Sequence, residues 1–161
     1  CYQKEGISWH KITKLIEFEN DRENQSKIHT GYTNQHVIQI FKSFEEIFDL
    51  KEEDFVVNQT TGHFENPIII LNAKIEKNQA RKFVQKLLGT LSNHHIKELT
   101  DEIEERTIDS RFHIRIDKQE FIKGNLMFKE KDAIKIKIHT PIYNKKDTVK
   151  IFSKILNCQL D

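Results

Sequence analysis

Arg111-Phe112-His113-Ile114-Arg115-Ile116-Asp117 alternates without a break. So does Ala133-Ile134-Lys135-Ile136-Lys137-Ile138. A period of two is the signature of a half-buried strand, because successive side chains leave opposite faces of the pleat. Phe112, Ile114 and Ile116 share one face of the first run; Arg111, His113, Arg115 and Asp117 share the other. In the second run the isoleucines take one face and Lys135 and Lys137 the other. Asn125 to Lys129 alternates as well, with Lys129 on the polar side. Short turns separate these runs, so they are expected to form a three-stranded antiparallel meander.

Working outward, Ile7 to Phe18 is rich in β-branched and aromatic residues and reads as a strand whose apolar phase shifts at a bulge. Asn20 to Tyr32 reads as a loop, and Thr33 or Asn34 can cap the helix that follows. Val37, Ile38, Ile40, Phe41, Phe44, Ile47 and Phe48 keep helical spacing. Phe55-Val56-Val57 and Ile68 to Ile75 read as a long-looped hairpin, with Pro67 at a strand entry because it lacks an amide donor. Lys77 to Leu88 puts Ala80, Phe83, Val84, Leu87 and Leu88 on one helical face, with Gly89 as C-cap. A helix from Ser92 or Asn93 to about Thr107 buries Ile96, Leu99 and Ile103. Lys145 to Leu156 is amphipathic. The order β-α-β-β-α-α-β-β-β-α predicts an α+β two-layer sandwich, a mostly antiparallel sheet with helices on one face, as a single domain over residues 1–161.

The 161 residues suffice to bury a core without metals or disulfides. With 37% hydrophobic and 32% charged residues and few prolines and glycines, the composition argues against a disordered chain. No apolar run approaches the ~20 residues that span a bilayer, and no secretory leader is visible. Cys1 and Cys158 form no metal-binding or redox spacing, so a reducing, cytoplasmic setting is expected. Residues before Cys1 are also expected, since the sequence lacks an initiator Met. The net charge of +1 hides an asymmetry: residues 1–110 hold 14 basic and 19 acidic side chains (−5), and residues 111–154 hold 12 and 5 (+7).

The cationic strand faces are the informative feature. Like charges on neighbouring strands stand roughly 5 Å apart and repel. A polyphosphate backbone relieves that repulsion and releases counterions. A solvated face with lysines is also an ordinary property of antiparallel sheets, where it blocks edge-to-edge association. Lys118 and Gln119 begin the next connection and can reach a phosphate and a base edge or ribose hydroxyl. Equally, Asp117 can cap a short helix from Lys118 to Ile122 that Gly124 ends. The turn Gly62-His63-Phe64-Glu65-Asn66-Pro67 can stack on an unpaired base or simply cover a sheet end. Trp9 has the same two options. Nothing in the pattern supports catalysis or a metal site: the adjacent His94 and His95 diverge on a helix, and no nucleophile or phosphate-loop motif occurs. No cofactor is expected, and Glu98 to Glu105 reads as a solvated helix face.

Five short segments in order carry a family resemblance: Ile7-Ser8-Trp9; Gly62 to Ile75; Ala80-Arg81-Lys82-Phe83; Leu99 to Arg106; and Asp117-Lys118-Gln119. The chain resembles small archaeal proteins of an RNA-binding family, formerly a domain of unknown function, whose members are described as predicted exosome subunits. The resemblance implies a fold like that of the large-subunit ribosomal protein that binds 5S rRNA. It also implies a role near the exosome or ribosome biogenesis. Where the family pattern has Gly before Asn66-Pro67 this chain has Glu65, whose carboxylate would repel phosphate.

The expectation is a non-enzymatic RNA-binding protein that captures structured RNA, ribosomal RNA among the candidates. Arg111, His113, Arg115, Lys118, Gln119, Lys135 and Lys137 are the expected contacts, with exosome or ribosomal proteins as further partners and no membrane. The alternative is a protein–protein interaction module without direct RNA contact, docking through the acidic helix or the sheet edge.

Overall fold

The computed structural model of the chain describes residues 16–20, 35–61, 67–130, 133–140 and 144–160. These residues form β1 (Ile16–Asn20), α1 (Gln35–Phe48), β2 (Phe55–Thr61), β3 (Pro67–Ala73), α2 (Lys77–Thr90), α3 (Asn93–Asp101) and α4 (Ile103–Arg106). They continue as β4 (Thr107–Ile108), β5 (Arg111–Asp117), α5 (Lys118–Ile122), β6 (Ala133–His139) and α6 (Lys145–Leu160). The fold is α+β, as the sequence implies. Its strands are shared between a four-stranded sheet of order β1-β6-β5-β4 and a two-stranded sheet of β2 and β3. The chain divides into two compact units, one of residues 1–16, 75–114 and 137–161, the other of residues 17–74 and 115–136.

In the second unit, aromatic packing joins α1, β2 and α5. Phe44 is 1% exposed. Its ring centroid lies 5.0 Å from that of Phe55 and 4.7 Å from that of Phe121. Phe41 meets Phe55 edge-on at 5.2 Å. Such aromatic pairs add stabilisation beyond the area they bury. Asp49 ends α1 in the left-handed conformation, φ 56°, which Asp tolerates better than most non-glycine residues. The β2–β3 hairpin runs in antiparallel register from Phe55↔Ala73 to Thr61↔Pro67. β2 is thus longer than the sequence implies, and Pro67 does stand at a strand entry. The connecting loop, including His63, Phe64 and Glu65, lies outside the described residues.

Helix α5 is capped at both ends. The Asp117 carboxylate accepts from Gln119 N at 2.9 Å and from Glu120 N at 3.3 Å. Gly124 adopts φ 89°, and Gly124 N and Asn125 N donate back to Phe121 O and Glu120 O. These are the crossed bonds of a Schellman stop, which needs a residue at positive φ. This exit commits Asn125 to the helix cap, and the middle run of the expected meander shrinks to a single bridge, Ile116↔Phe128. β6 instead lies directly against β5.

In the first unit, α2 buries Ala80, Phe83, Val84, Leu87 and Leu88. Gly89 does not cap it; the helix continues to Thr90, with Leu91 as C-cap. Ser92 caps α3, its hydroxyl accepting from His95 N at 3.2 Å. The expected single helix to Thr107 breaks at Glu102 (φ −98°, ψ 13°), which separates α3 from α4. Phe112 stacks on Phe152 of α6 at 4.7 Å. Thr140 N donates to Ser110 O, and the Thr140 and Thr148 hydroxyls meet at 3.1 Å, both side chains buried. The strand expected over Ile7 to Phe18 starts outside the described residues; β1 carries it on to Asn20.

Phe44→Ala is expected to lower stability by about 3–5 kcal/mol in urea unfolding, whereas Ile38→Ala, at a site 52% exposed, changes it by less than about 0.5 kcal/mol. Asp117→Ala removes the α5 cap and costs about 1 kcal/mol. The Asn125 amide, with the Lys123 ammonium after it, holds the Glu120 carboxyl below its ordinary 4.5. Its stabilising effect is present above the unfolded pKa and is lost as pH falls through the lower folded value. A carbon-detected NMR titration is expected to place Glu120 below 4.5, and Asn125→Ala to move it upward.

Candidate nucleic-acid interface

The period of two survives in β5 and β6. Phe112, Ile114 and Ile116 are buried, as are Ile134, Ile136 and Ile138. Their neighbours emerge on the other side of each strand, but only partway. Arg111 is exposed, while His113, Arg115, Asp117, Lys135, Lys137 and His139 are half-buried. The strand face expected to be solvated is therefore a partly covered one, with the imidazole Nε2 atoms of His113 and His139 enclosed.

In the second unit the bridge Ile116↔Phe128 sets Arg115 opposite Lys129, whose N–H donates to Arg115 O at 3.2 Å. Residues directly opposite in a ladder point to the same face, so these two cations are neighbours and Lys129 is exposed. Arg115 Nη1 is 3.4 Å from a Glu130 carboxylate oxygen and 3.2 Å from its carbonyl oxygen. That exposed pair is easily exchanged, because ion pairs in water contribute little. Lys135 belongs to the same unit. Gln119 is half-buried, but Lys118 is only 4% exposed. In this structure Lys118 is part of the packing at the start of α5 and not a surface contact. The helix that Asp117 caps is what decides its placement. Lys123, exposed at the end of α5, pairs with Glu120 at 3.3 Å.

In the first unit Arg111 opens β5 and Lys137 lies near the end of β6, with His113 between the buried Phe112 and Ile114. On α3 and its C-cap, a cavity of about 420 Å³ is lined by His94, Lys97, Glu98, Asp101 and Glu102. Glu102 is engaged by Arg106, Nε–Oε2 2.8 Å and Nη2–Oε2 2.6 Å. Among the described residues no group of three His, Cys, Asp or Glu side chains is arranged to hold a metal ion. No helix among them is long and apolar enough to cross a membrane.

Comparison with known proteins bears on the partner. A family model described as RNA binding matches residues 12–140. An RNA-binding protein of Pyrococcus abyssi is 33% identical over 115 residues, which cover 69% of this chain and 75% of that protein. A solved DUF54 protein from Methanothermobacter thermautotrophicus superposes with a TM-score of 0.67 at 19% identity, covering 90% of this chain and 98% of that one. A DUF54 protein from Sulfolobus solfataricus gives 0.65 at 24% identity, covering 91% and 98%. These structural likenesses speak to the fold. By the family match across most of its length, the chain belongs to this archaeal RNA-binding family.

Proposed function

We propose that the chain is a cytosolic, non-catalytic RNA-binding protein that holds structured RNA chiefly through phosphate contacts. Arg111, Arg115, Lys129, Lys135 and Lys137 supply the charge. Gln119, at the margin of α5, offers an amide for a base edge or ribose hydroxyl. His113, half-buried on the same side of β5 as Arg111 and Arg115, contributes a ring. The observation that carries this reading is the strand alternation itself. It sends aliphatic and aromatic residues to one side of β5 and β6 and the cations to the other. Membership of an RNA-binding family supports RNA as the polyanion. Lys118 is left out of the contact set because it is buried.

Recognition of this kind reads shape and phosphate more than sequence, which suits folded RNA. Exosome substrates and ribosomal RNA precursors are the two RNA pools that we place first. Docking onto exosome or ribosomal proteins is the competing reading. The cavity along α3, with its mixed charges, is the feature that favours it. A pull-down with and without nuclease separates the two. Partners lost on nuclease treatment support RNA contact, and partners that persist support direct protein contact.

Filter binding of a labelled structured RNA is expected to show log Kd rising with log salt at a slope of about 3 to 4, as for four neutralised phosphates. Arg111→Gln with Lys135→Gln should flatten that slope by about 2. An affinity indifferent to salt would defeat the proposal.

A further inference from the structure

Helix α2 carries a second cationic face. Its sequence, KNQARKFVQKLLGT, contains Lys77, Arg81, Lys82 and Lys86 and no acidic residue. Each residue turns about 100° around a helix axis. Ala80, Phe83, Val84, Leu87 and Leu88 therefore fill one side, and all are buried. Asn78, Arg81, Lys82, Lys86 and Gly89 fall on the opposite side, and all are exposed. Gln85 lies toward the Arg81 edge of that side, half-buried. Among the described residues no ion pair engages the Lys82 or Lys86 ammonium. They stand one turn apart, about 6 Å along the axis, a separation that successive phosphates of one strand can meet.

Gly89 is the second observation. It lies inside the last turn of the helix, ahead of the Leu91 cap. A Cβ there would meet nothing within 4 Å, and its φ is not positive. Neither packing nor backbone geometry requires glycine, and glycine within a helix is destabilising relative to alanine. Its position is in line with Lys82 and Lys86. A missing side chain there keeps the end of the cationic face flat, so that another backbone can approach closely.

We propose that the exposed face of α2 is an RNA-backbone contact surface, with Lys82 and Lys86 binding phosphates and Gly89 giving the strand clearance. This inference rests on the RNA-binding reading above and adds to it a surface on a different element, wholly within the first unit. Lysines engaged this way release counterions and steepen the salt dependence of binding. Asn78 and Gln85 offer uncharged donors along the same line, suited to ribose hydroxyls and phosphate oxygens.

The test is fluorescence anisotropy with a labelled hairpin RNA across a salt series, using the full chain and four variants. Lys82→Gln/Lys86→Gln should bind about ten-fold more weakly at low salt and lower the salt slope by about 2, with its melting temperature unchanged. Gly89→Gln should weaken binding while keeping the wild-type slope, and Gly89→Ala should raise the melting temperature. Wild-type binding that survives in both Lys82→Gln/Lys86→Gln and Gly89→Gln overturns the α2 proposal. If Arg111→Gln/Lys135→Gln impairs that binding, the RNA reading itself stands. A wild-type chain that does not bind the RNA overturns both. An acidic protein partner released by the lysine variants, with RNA binding intact, also overturns it.

Discussion

The two-residue period of β5 and β6 is the constraint from which the rest follows. A slip of one residue in either strand would carry Ile114, Ile116, Ile134 and Ile136 out of the interior and drive Arg115 and Lys135 into it. Burial of the apolar set is complete, Ile114 and Ile136 each being 0% exposed. The position of the cations is a consequence of that burial. They stand where they do because their neighbours must be inside. The stacked pair Phe112–Phe152 holds β5 against α6 in one unit, and the cluster of Phe44, Phe55 and Phe121 ties β2 to α1 and α5 in the other.

Electrostatics then shapes what these faces can hold. The cations are not left wholly uncompensated: Glu130 answers Arg115 and Glu120 answers Lys123. Such exposed pairs cost little to break, so a polyanion competes well for the same cations. A carboxylate partner also spaces and orients a guanidinium before a ligand arrives. Placing Lys82 and Lys86 on an acid-free helix distributes positive charge beyond the strands. A fold with near-neutral total charge can thereby attract phosphate locally without becoming a general polycation.

Much of this was legible from residues alone. The alternations of β5 and β6, the buried face of α2, and Asp117 and Gly124 as the two stops of α5 all follow from local spacing and capping chemistry. What was not legible came from competition between neighbouring preferences. Asn125 to Lys129 alternates like a strand, yet the cap at Gly124 claims its first residue and leaves one bridge. Gly89 resembles a terminator, but Leu91 supplies the cap and the helix runs on. Lys118 looks exposed because lysine usually is, whereas the short helix opened by Asp117 turns it inward. The charge of α2 could have been read from its sequence. It was masked by the acidic balance of the surrounding 110 residues, since regional sums hide a single basic helix.

The most direct measurement is ultraviolet crosslinking of the protein to RNA in native cells, followed by mass spectrometry of the crosslinked peptides. Electrostatic capture by the strand faces requires adducts within residues 111–117 and 133–139. RNA adducts confined to other segments, or an absence of RNA adducts alongside stable protein partners, would contradict it.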